Sequence, residues 1–137
     1  MARATRPRHA RHPAGLLGRR PLDAARRVQR ADGFWSVNLA DPDHFPGPET
    51  SGTSFLTYGA AYAVRAGLVS RAAFLPVATR AWRGLVSTAV HPDGFLGHVQ
   101  GVGDRPDSSR PVTADTTADF SVGAFLLAGT EPAALSR

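Results

Sequence analysis

The stretch Glu49-Thr50-Ser51-Gly52-Thr53-Ser54-Phe55-Leu56-Thr57-Tyr58-Gly59-Ala60-Ala61-Tyr62-Ala63-Val64-Arg65-Ala66-Gly67 decides the reading of the fold. Thr50 or Ser51 can cap a helix, and Glu49 sets a carboxylate at the positive end of its dipole. The spacing predicts a helix over 50–66, with Gly67 as the residue that stops it and Leu68 as the apolar follow-on. From Thr50 to Ser70 the only charge is Arg65. A helix that is small or apolar on nearly every face is expected to be buried on nearly every face.

Outward from that stretch the pattern alternates. Phe74, Val77, Ala78, Ala81, Trp82, Leu85 and Ala89 form one apolar stripe at helical spacing, opposite Thr79, Arg80, Arg83 and Ser87. This predicts a half-exposed helix over 72–90, capped near Ser70 and ended before Pro92. A third helix over 119–128 is apolar all round and stops at Gly129. Upstream, Leu22, Ala25 and Val28 can share a face of a short helix that ends at the Asp32-Gly33 turn. Buried helices thus flank a half-exposed one, as a double-layered helical barrel requires. Asp32-Gly33-Phe34-Trp35 recurs as Asp93-Gly94-Phe95-Leu96, 61 residues on, which fits a ring of helical hairpins. The expected class is all-α: helical hairpins, long loops such as 91–117, and short extended segments after each Asp-Gly turn.

A chain of 137 residues bounds the rest. It is long enough for one ordinary domain. It has no cysteine, which excludes a disulfide scaffold, a thiol nucleophile and thiolate-bound metal. The net charge of +5 is uneven. Residues 1–30 hold nine Arg against one acid, and the remainder holds seven Arg against ten acids. The basic character belongs to the leader, so a nucleic-acid function read from overall charge is misplaced, and the leader has no interleaved aromatics for base stacking. Residues 1–21 are expected to be a poorly ordered Arg-rich leader. No apolar run reaches the ~18 residues of a membrane span, and Ala14–Gly18 is too short for the core of a signal peptide. The expected compartment is the cytoplasm, with neither a nucleic-acid nor a membrane partner.

Several sites fail on their spacing. Gly101-x-Gly103 has Pro106 where a dinucleotide loop needs its third glycine. His91 and His98 have no carboxylate at metal-motif spacing, and Asp41-Pro42-Asp43 lacks the rest of a calcium loop. No metal and no cofactor is expected. Trp35 follows a turn between helices. It is either a platform for the apolar face of a sugar or a ring that packs the loop onto helix ends. Glu49, Thr50 and Ser51 gather a carboxylate, two hydroxyls and free N–H groups at a helix start, where capping competes with ligand binding. His98 lies in the long loop and faces either a cleft or solvent.

Read together, the blocks resemble glycoside hydrolase family 105, the unsaturated rhamnogalacturonyl hydrolases, which are related to the family 88 unsaturated glucuronyl hydrolases. The resemblance rests on Gln29-Arg30-Ala31-Asp32-Gly33-Phe34-Trp35 and Phe45-Pro46-Gly47-Pro48-Glu49-Thr50-Ser51-Gly52-Thr53. It continues in His91-Pro92-Asp93-Gly94-Phe95-Leu96-Gly97 and Gly123-Ala124-Phe125-Leu126-Leu127-Ala128-Gly129. It implies an (α/α)6 barrel that removes 4,5-unsaturated uronic acid from lyase-generated oligosaccharides by hydrating a vinyl ether. It also implies Trp35, Glu49, Thr50, Ser51 and His98 as substrate-binding contributors. Family members are far longer, and their catalytic Asp lies upstream of the matching region. Twelve helices of about 15 residues each exceed 137 residues before loops are counted. Residues 22–137 are therefore expected to be the C-terminal part of such a barrel, an incomplete toroid without a catalytic residue and inactive alone. Its uncovered helices are expected to drive self-association.

Overall fold

The computed structural model describes residues 13–105, 107–108 and 111–135. Four α-helices run α1 Pro13–Arg27, α2 Thr50–Arg65, α3 Arg71–Gly84 and α4 Asp119–Leu135, and a π-helical turn Leu85–Ala89 extends α3. Among the described residues the only extended pairings are two isolated bridges, Trp35 with Glu49 and Val90 with Leu96. Residues 1–12 of the expected leader lie outside the described residues. The rest of that expectation is corrected, because Pro13–Pro21 form the first part of α1. Pro13 suits the first helical position, where its missing N–H costs nothing.

Each boundary has a local cause. Glu49 is the extended residue before α2, and its side chain accepts from the Ser51 and Gly52 N–H groups. At the far end Gly67 takes φ +69. There Gly67 N–H donates to Val64 O at 3.1 Å and Leu68 N–H to Ala63 O at 2.8 Å, a left-handed cap closing the last carbonyls. The Ser70 side chain accepts from Ala73 N–H to start α3.

The 61-residue echo is structural. Gly33 and Gly94 take φ +92 and +89. Asp32 Oδ1 accepts from Phe34 N–H at 3.1 Å, and Asp93 Oδ1 from Phe95 N–H at 3.0 Å. Arg30 N–H donates to Phe34 O and His91 N–H to Phe95 O, at 2.9 and 2.8 Å. At Gly33 a Cβ would also meet the Arg80 carbonyl, so glycine is required there twice over.

α2 sits at the centre and packs most extensively on α4 and α3. Ala60, Ala61 and Val64 of α2 meet Phe74 and Ala78 of α3, with Leu22 of α1 beside them. The expected stripe of α3 is buried at Phe74, Val77, Ala78, Ala81, Leu85 and Ala89. Trp82 is only partly buried and stacks on Phe125 with centroids 5.1 Å apart.

The expectation that α2 and α4 are buried on nearly every face is corrected. α2 buries its small residues, among them Thr53, Ser54, Thr57, Ala60 and Ala61, while Phe55 is 52% and Tyr62 41% exposed. α4 buries Ser121, Ala124, Ala128 and Glu131 and exposes Val122, Leu127 and, at 64%, Leu126. Close helix contact selects small side chains at the seam. The larger side chains Phe55, Tyr62, Leu126 and Leu127 lie outside that seam.

Candidate functional site

The five residues singled out in the sequence do meet at one place, the start of α2. Glu49 N–H donates to Trp35 O at 3.3 Å, and Thr50 N–H donates to His98 O at 2.8 Å. The loop before α2 and the long loop before α4 are thereby pinned to the same helix end. The backbone gathers these residues, but most of the side chains turn inward.

Trp35 is the clearest correction. It is 2% exposed. Its ring packs among Ala25, Val77 and Ala81, with Val28 and Leu56 at the margin. Its Nε1–H donates to Ala25 O at 2.7 Å. Neither ring face is open to a sugar, so the packing reading holds and the platform does not. Its backbone N–H donates to Thr53 Oγ1 at 3.0 Å, which ties the turn to α2.

Glu49 is equally interior. One carboxylate oxygen accepts from Ser51 N–H at 2.8 Å, Ser51 Oγ–H at 2.7 Å and Gln100 N–H at 3.2 Å. The other accepts from Gly52 N–H at 2.7 Å. Four donors and the helix dipole stabilise a buried carboxylate, which otherwise carries a large desolvation cost. Thr50 Oγ1–H donates to Gly97 O at 2.7 Å, and Thr50 and Ser51 are both buried. For Glu49, Thr50 and Ser51 capping is therefore the role their geometry supports. A ligand contact would require breaking this network.

His98 differs. Its backbone is held in the left-handed region at φ +57. Its N–H donates to Thr113 O at 2.9 Å, and its carbonyl accepts from Thr50. Its ring remains partly accessible. Burial first and the neighbouring His91 second push the imidazole below its ordinary range, against an opposing pull from Asp115. A histidine depressed in the folded state resists protonation, so stability falls as pH drops below the unfolded value of about 6.5. His98→Asn tolerates positive φ and should flatten that slope. Urea midpoints across this pH range check it, and an unchanged slope would remove His98 as the cause.

Sequence reading missed the ion pair between Arg65 of α2 and Glu131 of α4. Arg65 Nε–H donates to Glu131 Oε2 at 2.7 Å and an Nη–H to Oε1 at 3.0 Å. The Arg65 guanidinium also lies over the Tyr62 ring, 5.2 Å from its centroid. The partners are 66 residues apart, and the available signal was the lone charge of α2 and an acid near the far end of α4. Among the described residues no group of three or more His, Cys, Asp or Glu is placed to hold a metal. No described helix is long and apolar enough to cross a membrane.

The chain forms two consecutive helical hairpins, α1–α2 and α3–α4, each with an Asp-Gly turn in its connecting loop, and its solved relatives make these part of an (α/α)6 glycoside hydrolase barrel. The profile of Glycosyl Hydrolase Family 88 matches residues 14–135, and the chain belongs to that family. It is 38% identical over 112 residues to the unsaturated 3S-rhamnoglycuronyl hydrolase of Formosa agariphila, covering 80% of this chain and 29% of that protein. A solved family 88 glycosyl hydrolase from Bacteroides vulgatus superposes with a TM-score of 0.81 at 33% identity, over 92% of this chain and 37% of its own. A possible family 105 member from Salmonella enterica gives 0.75 at 28% identity, over 90% and 33%. The chain thus spans about three tenths of the length of the curated relative it matches.

Proposed function

We propose that this chain is the C-terminal part of a glycoside hydrolase that removes 4,5-unsaturated uronic acid from lyase-generated oligosaccharides. One observation carries the reading: the family match spans residues 14–135, most of the chain. The relative's name adds that unsaturated 3S-rhamnoglycuronyl units are the first substrates to test. The chemistry is vinyl-ether hydration. A carboxylic acid protonates C4, water adds at C5, and the hemiketal collapses with cleavage of the glycosidic bond. Such an acid must stay protonated at working pH, which calls for a desolvated pocket. No carboxyl of this chain is assigned that role, since Glu49 is occupied as the α2 cap and the Arg30 guanidinium holds Asp32 below its usual range. His98, the accessible member of the cluster, is proposed to contact substrate once the barrel is complete.

The chain alone is expected to be inactive. Incubated with unsaturated disaccharide, it should leave the absorbance of the C4–C5 double bond unchanged, and turnover would overturn this. Exchanging residues 14–135 for the matching segment of a full-length relative should preserve activity, and His98→Ala in that chimera should raise KM more than it lowers kcat. A chimera that folds but does not turn over would count against the family activity itself. The rival reading, a non-catalytic sugar-binding module, rested on Trp35 and lost its platform when that ring proved buried. We place the protein in the cytoplasm and expect it to self-associate through the exposed sides of α2 and α4. Recovery in the cell envelope on fractionation would refute the first placement.

A further inference from the structure

The loop between α1 and α2 holds one residue in an unfavourable conformation. Phe45 sits at φ +70, a left-handed backbone that a bulky side chain adopts only under constraint. Asn38 Oδ1 accepts from the Ala40 and Asp41 N–H groups at 3.1 and 3.3 Å. That fixes the amide, so Asn38 Nδ2–H donates to His44 Nδ1 at 3.1 Å. The His44 ring in turn lies against the Phe45 ring, with centroids 4.0 Å apart. Among the described residues His98, at φ +57, is the other non-glycine residue held at positive φ. Strain of this kind gathers at ligand sites.

The two strained residues lie beside the same feature. Phe45 walls a nook of about 40 Å3 with Val37, Pro46, Gly47, Pro48 and Val112. Val112 precedes Thr113, whose carbonyl accepts from His98 N–H at 2.9 Å. Pro48 precedes Glu49, the cap of α2. The nook therefore adjoins the His98 backbone at the start of α2. None of its six residues carries a charged or hydrogen-bonding side chain, so any polar atom there belongs to the backbone. A carboxylate or sulfate entering it would lose water and meet no cation. That excludes the uronate carboxyl as its occupant. One water needs about 10–15 Å3 of such space, so the nook holds a single exocyclic group and not a sugar ring.

We propose that this nook recognises the sugar that follows the uronate, and that it takes the C6 methyl of a 6-deoxyhexose. The inference rests on the proposed hydrolase function and adds the residues that select the neighbouring sugar. A methyl group fits against Val37, Phe45 and Val112. A hydroxymethyl group brings one more heavy atom and a hydroxyl that these side chains cannot pair.

The nook is built wholly from this chain, so the chain itself is the test material. Methyl α-L-rhamnoside and methyl α-L-mannoside differ only at C6, methyl against hydroxymethyl. Titrated into the isotope-labelled chain and followed by NMR, the rhamnoside should move the amide signals of Val37, Phe45, Gly47 and Val112. It should bind about tenfold more tightly than the mannoside, the discrimination one small group gives in an apolar pocket. Equal affinities, shifts confined to other residues, or no binding of either sugar overturn the proposal. Phe45→Asn suits the left-handed backbone and removes one wall. It should abolish the rhamnoside shifts while the thermal midpoint stays at or above the parent's. A Phe45 that merely packs would lower the midpoint and leave the preference intact, which overturns its role. Val112→Thr keeps the shape and adds a hydroxyl, so the preference should shrink toward parity whether or not the asparagine variant folds. An unchanged preference counts against the nook. Preference retained by the chain while the chimera fails to turn over would sink the hydrolase reading alone. Turnover without preference would sink the nook alone.

Discussion

Trp35→Ala is expected to lower stability by about 3–5 kcal/mol, the range for removing a buried large aromatic ring. Two losses combine. Ala25, Val77 and Ala81 are left facing a cavity they are too small to fill. The Ala25 carbonyl also loses the 2.7 Å donor that accompanies the ring. Against a total stability of about 5–15 kcal/mol for an ordinary domain, such a loss is a large fraction of the whole. Urea denaturation followed by far-UV circular dichroism measures it. Trp35→Phe keeps most of the packing and strands only the carbonyl, so a smaller loss of about 1–2 kcal/mol is expected. A Trp35→Ala protein as stable as the parent would mean that the ring is not where the structure puts it.

Glu49→Ala should cost about 3 kcal/mol, well beyond an ordinary capping residue, whose removal costs about 1. The excess comes from the third backbone partner. Ser51 and Gly52 belong to the helix being capped, but Gln100 lies 51 residues away. The variant would therefore leave a donor unsatisfied in a second segment as well as at the helix end. Glu49→Gln keeps an acceptor oxygen but replaces the other with an NH2 group facing donors, so it should fall between parent and alanine. Thermal unfolding of the three proteins gives the order. A ligand-binding Glu49 with no structural role would leave all three midpoints together.

Helices α2 and α3 were legible because their signals are local, whereas α4 runs past the expected stop at Gly129 to Leu135. Glu49 and Gly67 bound α2 to within a residue, and the stripe from Phe74 to Ala89 showed which face of α3 is buried. What was not legible depends on contacts between segments. Trp35 reads equally well as a platform or as core until α1 and α3 are seen closing around it. Thr50 and Ser51 look like free hydroxyls until Gly97 and Glu49 are placed beside them. The apolar character of α2 and α4 was read correctly, but composition cannot say which neighbour an apolar flank awaits. Here the small residues found theirs within the chain and the large ones did not. The start of α1 was missed because arginine and proline content was weighed above helix propensity, although the stretch from Ala14 to Arg20 contains no strong helix breaker beyond its glycines.

The cap at Glu49 also has a consequence in time. Its helix-end partners are available as soon as α2 is made, but Gln100 and the Gly97 carbonyl that accepts from Thr50 arrive about 35 residues after α2 is complete. At ribosomal speeds of about 5–20 residues per second, that gap lasts a few seconds. During that interval α2 is a helix whose first turn is only half satisfied. The long loop is then the step that completes α2, and a nascent chain released before it emerges carries the least stable form of the protein's most central helix.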